Sequence, residues 1–80
     1  MKQDSEAVAA EEVKLRRLRF AMDLTAALLR QAELSLDEAQ EVVAHAKATA
    51  LELFPDKGET FDLIYGSRFR RILVERYRLP

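Results

Sequence analysis

The stretch SLDEAQEVVAHAKATALELFP, residues 35–55, decides how the rest of the chain is read. Ser35 followed by Glu38 has the spacing of a capping box, in which the serine hydroxyl accepts from the Glu38 amide and the glutamate reaches back to the Ser35 amide. Leu34 and Ala39 stand at the hydrophobic staple positions on either side. From there Leu36, Ala39, Val43, Ala46, Ala50 and Leu53 recur every three or four residues, with Val42 and Phe54 beside them, which is the period of an amphipathic helix. Pro55 ends it, because proline disfavours a helical conformation in the residue before it and brings no amide hydrogen. The stretch predicts a helix over 36–54.

Upstream, residues 4–33 hold no glycine or proline and are rich in Ala, Leu, Arg and Glu, which predicts one long helix over 5–33. Val8, Leu15, Met22 and Leu29 fall seven residues apart, with Leu18, Thr25 and Ala32 three residues after the last three of them. This makes a narrow heptad-like stripe, interrupted by Glu11. Phe20, Leu24 and Leu28 lie off the stripe and widen the apolar surface, as on a helix that touches more than one neighbour. Downstream, Pro55-Asp56-Lys57-Gly58 has turn composition, with glycine free to take positive φ. Thr60 reads as the next N-cap and Asp62 sits where a carboxylate suits a helix start. Phe61, Ile64, Tyr65, Phe69, Ile72, Leu73 and Tyr77 supply the apolar face of a third helix over 60–78. Gly66 costs about 1 kcal/mol in a helix interior. A break with Ser67 as a new cap would, however, crowd Arg68, Arg70 and Arg71 into a first turn, where the helix dipole opposes cations. The continuous helix is therefore the expectation, with Gly66 marking a bend or a close helix approach. A short strand over 61–65 would have nothing to pair with.

The expected fold is thus all-α, a three-helix antiparallel hairpin or bundle with a long first helix, forming a single helical domain over 1–80. At 1.5 Å per residue the first helix spans about 43 Å and the others about 28 Å, an overhang of about 15 Å. Eighty residues also bury only about 60 to 65% of the surface of the unfolded chain. Disulfides are excluded by the absence of cysteine, and one histidine makes a structural metal a poor substitute. Completion by oligomerisation, with a dimer favoured, is what remains. Its expected interface is Val8, Leu15, Leu18, Met22 and Leu29.

With 49% apolar and 34% charged residues the chain is no disordered tail, and a formal net charge of −1 gives no global attraction to nucleic acid or anionic membrane. Charge is nonetheless uneven. Lys14, Arg16, Arg17 and Arg19 form one basic cluster and Arg68, Arg70, Arg71, Arg76 and Arg78 another, with Phe69 and Tyr77 available for stacking. The five residues of the second cluster and Arg16, Arg17 and Arg19 of the first are candidate anion or nucleic-acid contacts. The competing reading is solvated or paired arginine, through Glu12–Arg16, Glu11–Lys14 and Arg71–Glu75 on one helix face, or through Glu38, Glu41, Glu52 and Asp62 across helices.

Catalysis finds little support. Ser5, Ser35 and Ser67 read as caps or turn residues, and Gly58 and Gly66 cannot build a phosphate loop. His45 follows Glu41 by four residues rather than the three of a carboxylate-bridged di-iron helix, so no metal or other cofactor is expected. Lys2 is followed by acidic Asp4 and Glu6, so no signal-peptide pattern opens the chain, and no run approaches the about 18 apolar residues of a membrane span. The leucines interleaved with Lys14–Arg19 would suit a membrane surface, but Glu11, Glu12 and Asp23 dilute the charge. The functional expectation is a small non-enzymatic, cytoplasmic helical interaction module that self-associates or binds another protein. The alternative is a nucleic-acid-binding accessory protein that uses the two arginine clusters.

Overall fold

The computed structural model describes the backbone of residues 2–80 and the side chains of residues 5–80; the side chains of Lys2 and Asp4 lie outside the described residues. The fold is all-α. α1 (Lys2–Gln31) runs up, α2 (Leu36–Leu53) runs down beside it, and a third helical run, residues 58–77, returns upward against both. That run is an α turn, α3 (Gly58–Phe61), a π-helical turn (Asp62–Gly66) and α4 (Ser67–Tyr77). The principal extents of 52 × 22 × 16 Å follow from α1, whose 30 residues alone rise about 45 Å.

α2 forms as its flanking residues dictate. The Glu38 amide donates to Ser35 Oγ (3.1 Å) and the Ser35 amide to Glu38 Oε1 (3.0 Å), which closes the capping box. At the other end the Phe54 amide donates to the Ala50 carbonyl and Pro55 turns the chain away. Ala39, Ala46 and Ala50 are the buried residues of this helix. Their small side chains let the α2 backbone approach its neighbours closely, so burial here is of backbone and methyls rather than of large side chains.

The third run departs from its sequence reading at its start and in the form of its turn at Gly66, though not in its continuity. Its first turn starts at Gly58 rather than Thr60, with Lys57 as a cap residue that makes no side-chain hydrogen bond, and Gly58 has no positive φ. The run passes through Gly66 unbroken, and Ser67 sits in ordinary helical geometry instead of capping a new helix. Gly66 marks a π turn rather than a close helix approach. A Cβ there would meet only the helix's own Phe61 carbonyl and Asp62, at ordinary contact distances of 3.7 Å and more. The reason for the π turn lies in the aromatic spacing. In a plain α-helix Phe61 and Phe69, eight residues apart, would point about 80° away from each other. The wider turn absorbs one residue. Both rings are then buried on one side, with Tyr65 between them at centroid distances of 5.9 and 6.4 Å. Leu63 and Ile64 are turned out to solvent in exchange.

The core is a single cluster in which Met22, Leu29 and Phe69 are the largest fully buried side chains, joined by Ala26, Phe61, Ile72, Leu73 and the α2 alanines. Thr25 is the one buried polar residue among those described, and its hydroxyl donates to the Ala21 carbonyl one turn back at 2.8 Å, so it brings no unsatisfied group into the core. The end of the third run is clasped onto the α1–α2 connection. The Arg76 guanidinium donates to the carbonyls of Leu29 and Ala32, and Tyr77 Oη donates to the Leu34 carbonyl at 2.6 Å. Arg76 thereby satisfies carbonyls that a helix C-terminus leaves without partners and brings a cation to the negative end of the α1 dipole. Arg78 takes the left-handed conformation (φ 52°), and the Leu79 amide reaches back to the Val74 carbonyl in a Schellman closure. No helix among the described residues is long and apolar enough to cross a membrane.

Candidate interaction surface

The third run covers one side of the α1–α2 hairpin and leaves the other open. On that open side lies a groove of about 560 Å³, lined by Ala21, Leu24, Thr25 and Leu28 of α1, by Glu38, Glu41, Val42, His45, Ala46 and Thr49 of α2, and by Leu34 between them. No residue of the third run contributes to it. The α1 wall is apolar and the α2 rim is acidic. Phe20, 71% exposed, continues the apolar wall one turn below Leu24 (52%) and Leu28 (42%), and Val13 extends it seven residues further down. These four residues share one helix face, with Arg17 between Val13 and Phe20.

The heptad stripe expected to form an interface is divided by the fold. Met22 (1% exposed) and Leu29 (0%) belong to the core of this chain and have no surface left to offer, and Leu18 is half-buried against the same core. α4 and α2 cover these positions where they run beside α1. Val8 and Leu15 lie lower on α1, where the neighbouring helices run out, and both are exposed. The level at which cover ends is fixed by Lys14, whose ammonium stands 5.9 Å over the Phe54 ring just past the end of α2. Phe20, Leu24 and Leu28, which the heptad criterion left out of the interface, form the larger exposed apolar surface. Their signal in the sequence was the second apolar line on α1.

The arginines do not act as one group. Arg16, Arg17, Arg19, Arg70, Arg71 and Arg78 are exposed, and Arg68 is exposed with its guanidinium 5.8 Å from the Tyr65 ring. Arg76 is instead engaged with the α1 carbonyls and lies 5.4 Å from the Tyr77 ring, so it is a structural clasp and not a free anion contact. Arg30, Arg68 and Arg71 do converge, in a cleft between α1 and α4 that also holds Asp23 and Glu75. The pairs Glu12–Arg16, Glu11–Lys14 and Arg71–Glu75 do not close. The ion pair formed among the described residues joins Lys47 to Asp62 at 2.9 Å, tying α2 to the π turn. Phe69, read as a stacking residue, is fully buried, and Tyr77 is half-buried.

His45 sits on the groove rim beside Glu41, and no group of three or more metal-ligating side chains is formed among the described residues. Ser35 is used as a cap, and Ser67 Oγ donates to the Asp62 carbonyl at 3.4 Å. At the upper end of the groove the Ser35 backbone amide, and after it the Ser35 side chain, hold the Glu38 carboxyl below the usual carboxylate range. Glu38 therefore keeps its negative charge on the rim to a lower pH than a free glutamate would. Comparison with protein-family models, with curated proteins and with solved structures finds no match to this chain.

Proposed function

We propose that this chain is a small non-enzymatic helical interaction module that self-associates through α1, most simply as a dimer. The observation that carries the reading is the distribution of exposed apolar side chains. Of the large ones among the described residues, Val8, Val13, Leu15, Phe20, Leu24 and Leu28 are on α1, and only Leu63 and Ile64 are elsewhere. One helix thus carries most of the exposed large apolar side chains, which supports an interaction role for it. The core itself is thin, with alanines as the buried residues of α2, and a second subunit is an economical way to add to it. Ser35 serves as a cap and Ser67 bonds within its own helix, which favours a binding over a catalytic role. The cysteine-free composition suits a reducing compartment such as the cytoplasm.

Sedimentation equilibrium between about 1 and 100 µM tests the reading. The expected mass is twice the 9.2 kDa of the chain at the upper concentrations. A mass of one chain throughout, with the helical content intact, overturns it. A second reading, binding of nucleic acid or another anionic partner, is favoured by the shared cleft of Arg30, Arg68 and Arg71. It requires a gel shift at low salt that weakens steeply as salt is added, and no shift at low salt removes it.

A further inference from the structure

We propose that the open groove takes a second copy of this chain, with the two α1 helices antiparallel about a two-fold axis at Leu24 and Phe20 of each copy seated in the groove of the other. The inference rests on the self-association reading and specifies its geometry.

Three observations choose this occupant and this orientation. The exposed face of α1 is its own complement when reversed about Leu24. Phe20 and Leu28 lie four residues to either side, Ala21 and Ala27 three, and Arg17 and Gln31 seven. An antiparallel two-fold therefore sets Phe20 against Leu28 of the other copy, with small alanines flanking Leu24, where the helices come nearest. Such an isologous contact requires self-complementarity of this kind. The second observation is the fit of the deepest contact. Beside Leu28 the groove is walled by Leu34 and Val42, so the most exposed aromatic side chain of one copy meets the apolar end of the groove of the other. Burying most of a phenylalanine there, twice per dimer, contributes on the order of 150 to 250 Å² per ring.

Charge supplies the third. Lys14 is level with Phe54 and the α1–α2 turn joins Gln31 to Leu36, so Glu38 is level with about Arg30 and Glu41 with about Ala27. Turned about Leu24, these two glutamates fall beside Leu18 and Ala21 of the other copy, within reach of Arg17. Each end of the contact then pairs one arginine with an acidic rim. The other face-to-face two-fold, with its axis along the helices, would lay Phe20, Leu24 and Leu28 over the α2 row of the second copy that holds Glu41, His45 and Glu52. That arrangement buries Glu41 against Leu24 and Leu28 with no cation beside it, and leaves Arg17 only Glu52 to meet.

The absence of cysteine makes the test direct. Leu24→Cys places one thiol per copy at the axis, within the Cα separation of up to about 7 Å that a disulfide tolerates. Val13→Cys, eleven residues from the axis, leaves its two copies about 33 Å apart along the helices. On mild oxidation at a concentration where the parent chain is dimeric, Leu24→Cys is expected to cross-link nearly completely and Val13→Cys hardly at all. As an independent measurement, Arg17→Glu should raise the dimer Kd roughly tenfold, since two partly exposed pairs are lost, and adding Glu41→Lys should recover most of that. A dimer that fails to cross-link at Leu24, or that cross-links equally at Val13, overturns this geometry while self-association stands. So does a charge exchange that recovers nothing. A monomer in sedimentation overturns both readings together.

Discussion

α1 carries two apolar lines of similar composition, Leu18, Met22 and Leu29 on one side and Phe20, Leu24 and Leu28 on the other, and the fold treats them oppositely. The first is sealed by α2 and α4, and the second is left in water. Nothing in the side chains themselves separates the two, since leucine stands in both. What differs is the supply of neighbours: α2 and the third run cover one flank of α1. The inner line measures what this chain can do for itself. The outer line is the apolar surface those helices leave uncovered.

The largest effect that separates the two lines comes from truncating each in turn. Leu29→Ala is expected to destabilise the fold by about 2 to 5 kcal/mol, because it opens a cavity in the core. Leu24→Ala should change unfolding of the isolated chain by no more than about 0.5 kcal/mol while weakening self-association. Urea unfolding at a concentration low enough to keep the chain monomeric reads both, and equal losses would erase the distinction between inner and outer lines. Arg76→Ala comes next, at about 1 to 3 kcal/mol, since it removes charge-assisted hydrogen bonds to the Leu29 and Ala32 carbonyls. Amide exchange should then show the α1–α2 connection opening before the lower part of the hairpin. Loss confined to residues 76–80 would show that the clasp does not hold the inner line.

Ser35→Ala touches the helix that walls both lines, and loss of the N-cap should cost about 1 kcal/mol in the same urea measurement. The smallest effect is a pH dependence. Glu38 has a folded-state pKa below its unfolded value, so its contribution is complete above the ordinary carboxylate range near 4.5 and is lost as the pH falls through the lower folded value. Thermal unfolding followed from pH 6 down to pH 3 should show this loss in the parent chain and less of it in Ser35→Ala. An identical acid profile in the two proteins would sever the link between the cap and the rim charge.

How much of this was legible in the residues varies along the chain. α2 was legible almost to the residue, because a capping box and a proline act locally and no later packing competes with them. The long first helix and its overhang followed from composition and length. The choice between the two apolar lines of α1 did not, because periodicity reports that a face is apolar and cannot say which neighbour arrives. The heptad spacing of Val8, Leu15, Met22 and Leu29 pointed toward a partner helix, and for Met22 and Leu29 that partner turned out to lie within the chain. Arg76 shows the same limit for charge. Its clasp joins residues 44 and 47 apart in sequence, a distance over which no local pattern carries information.

The π turn at Asp62–Gly66 means that the third run contains one residue more than a plain helix needs. Removing either Leu63 or Ile64, both turned to solvent, would leave Phe61 and Phe69 seven residues apart and so on one face of an uninterrupted α-helix. A deletion there is expected to keep both rings on the buried face, at a place where most helices would be thrown out of register.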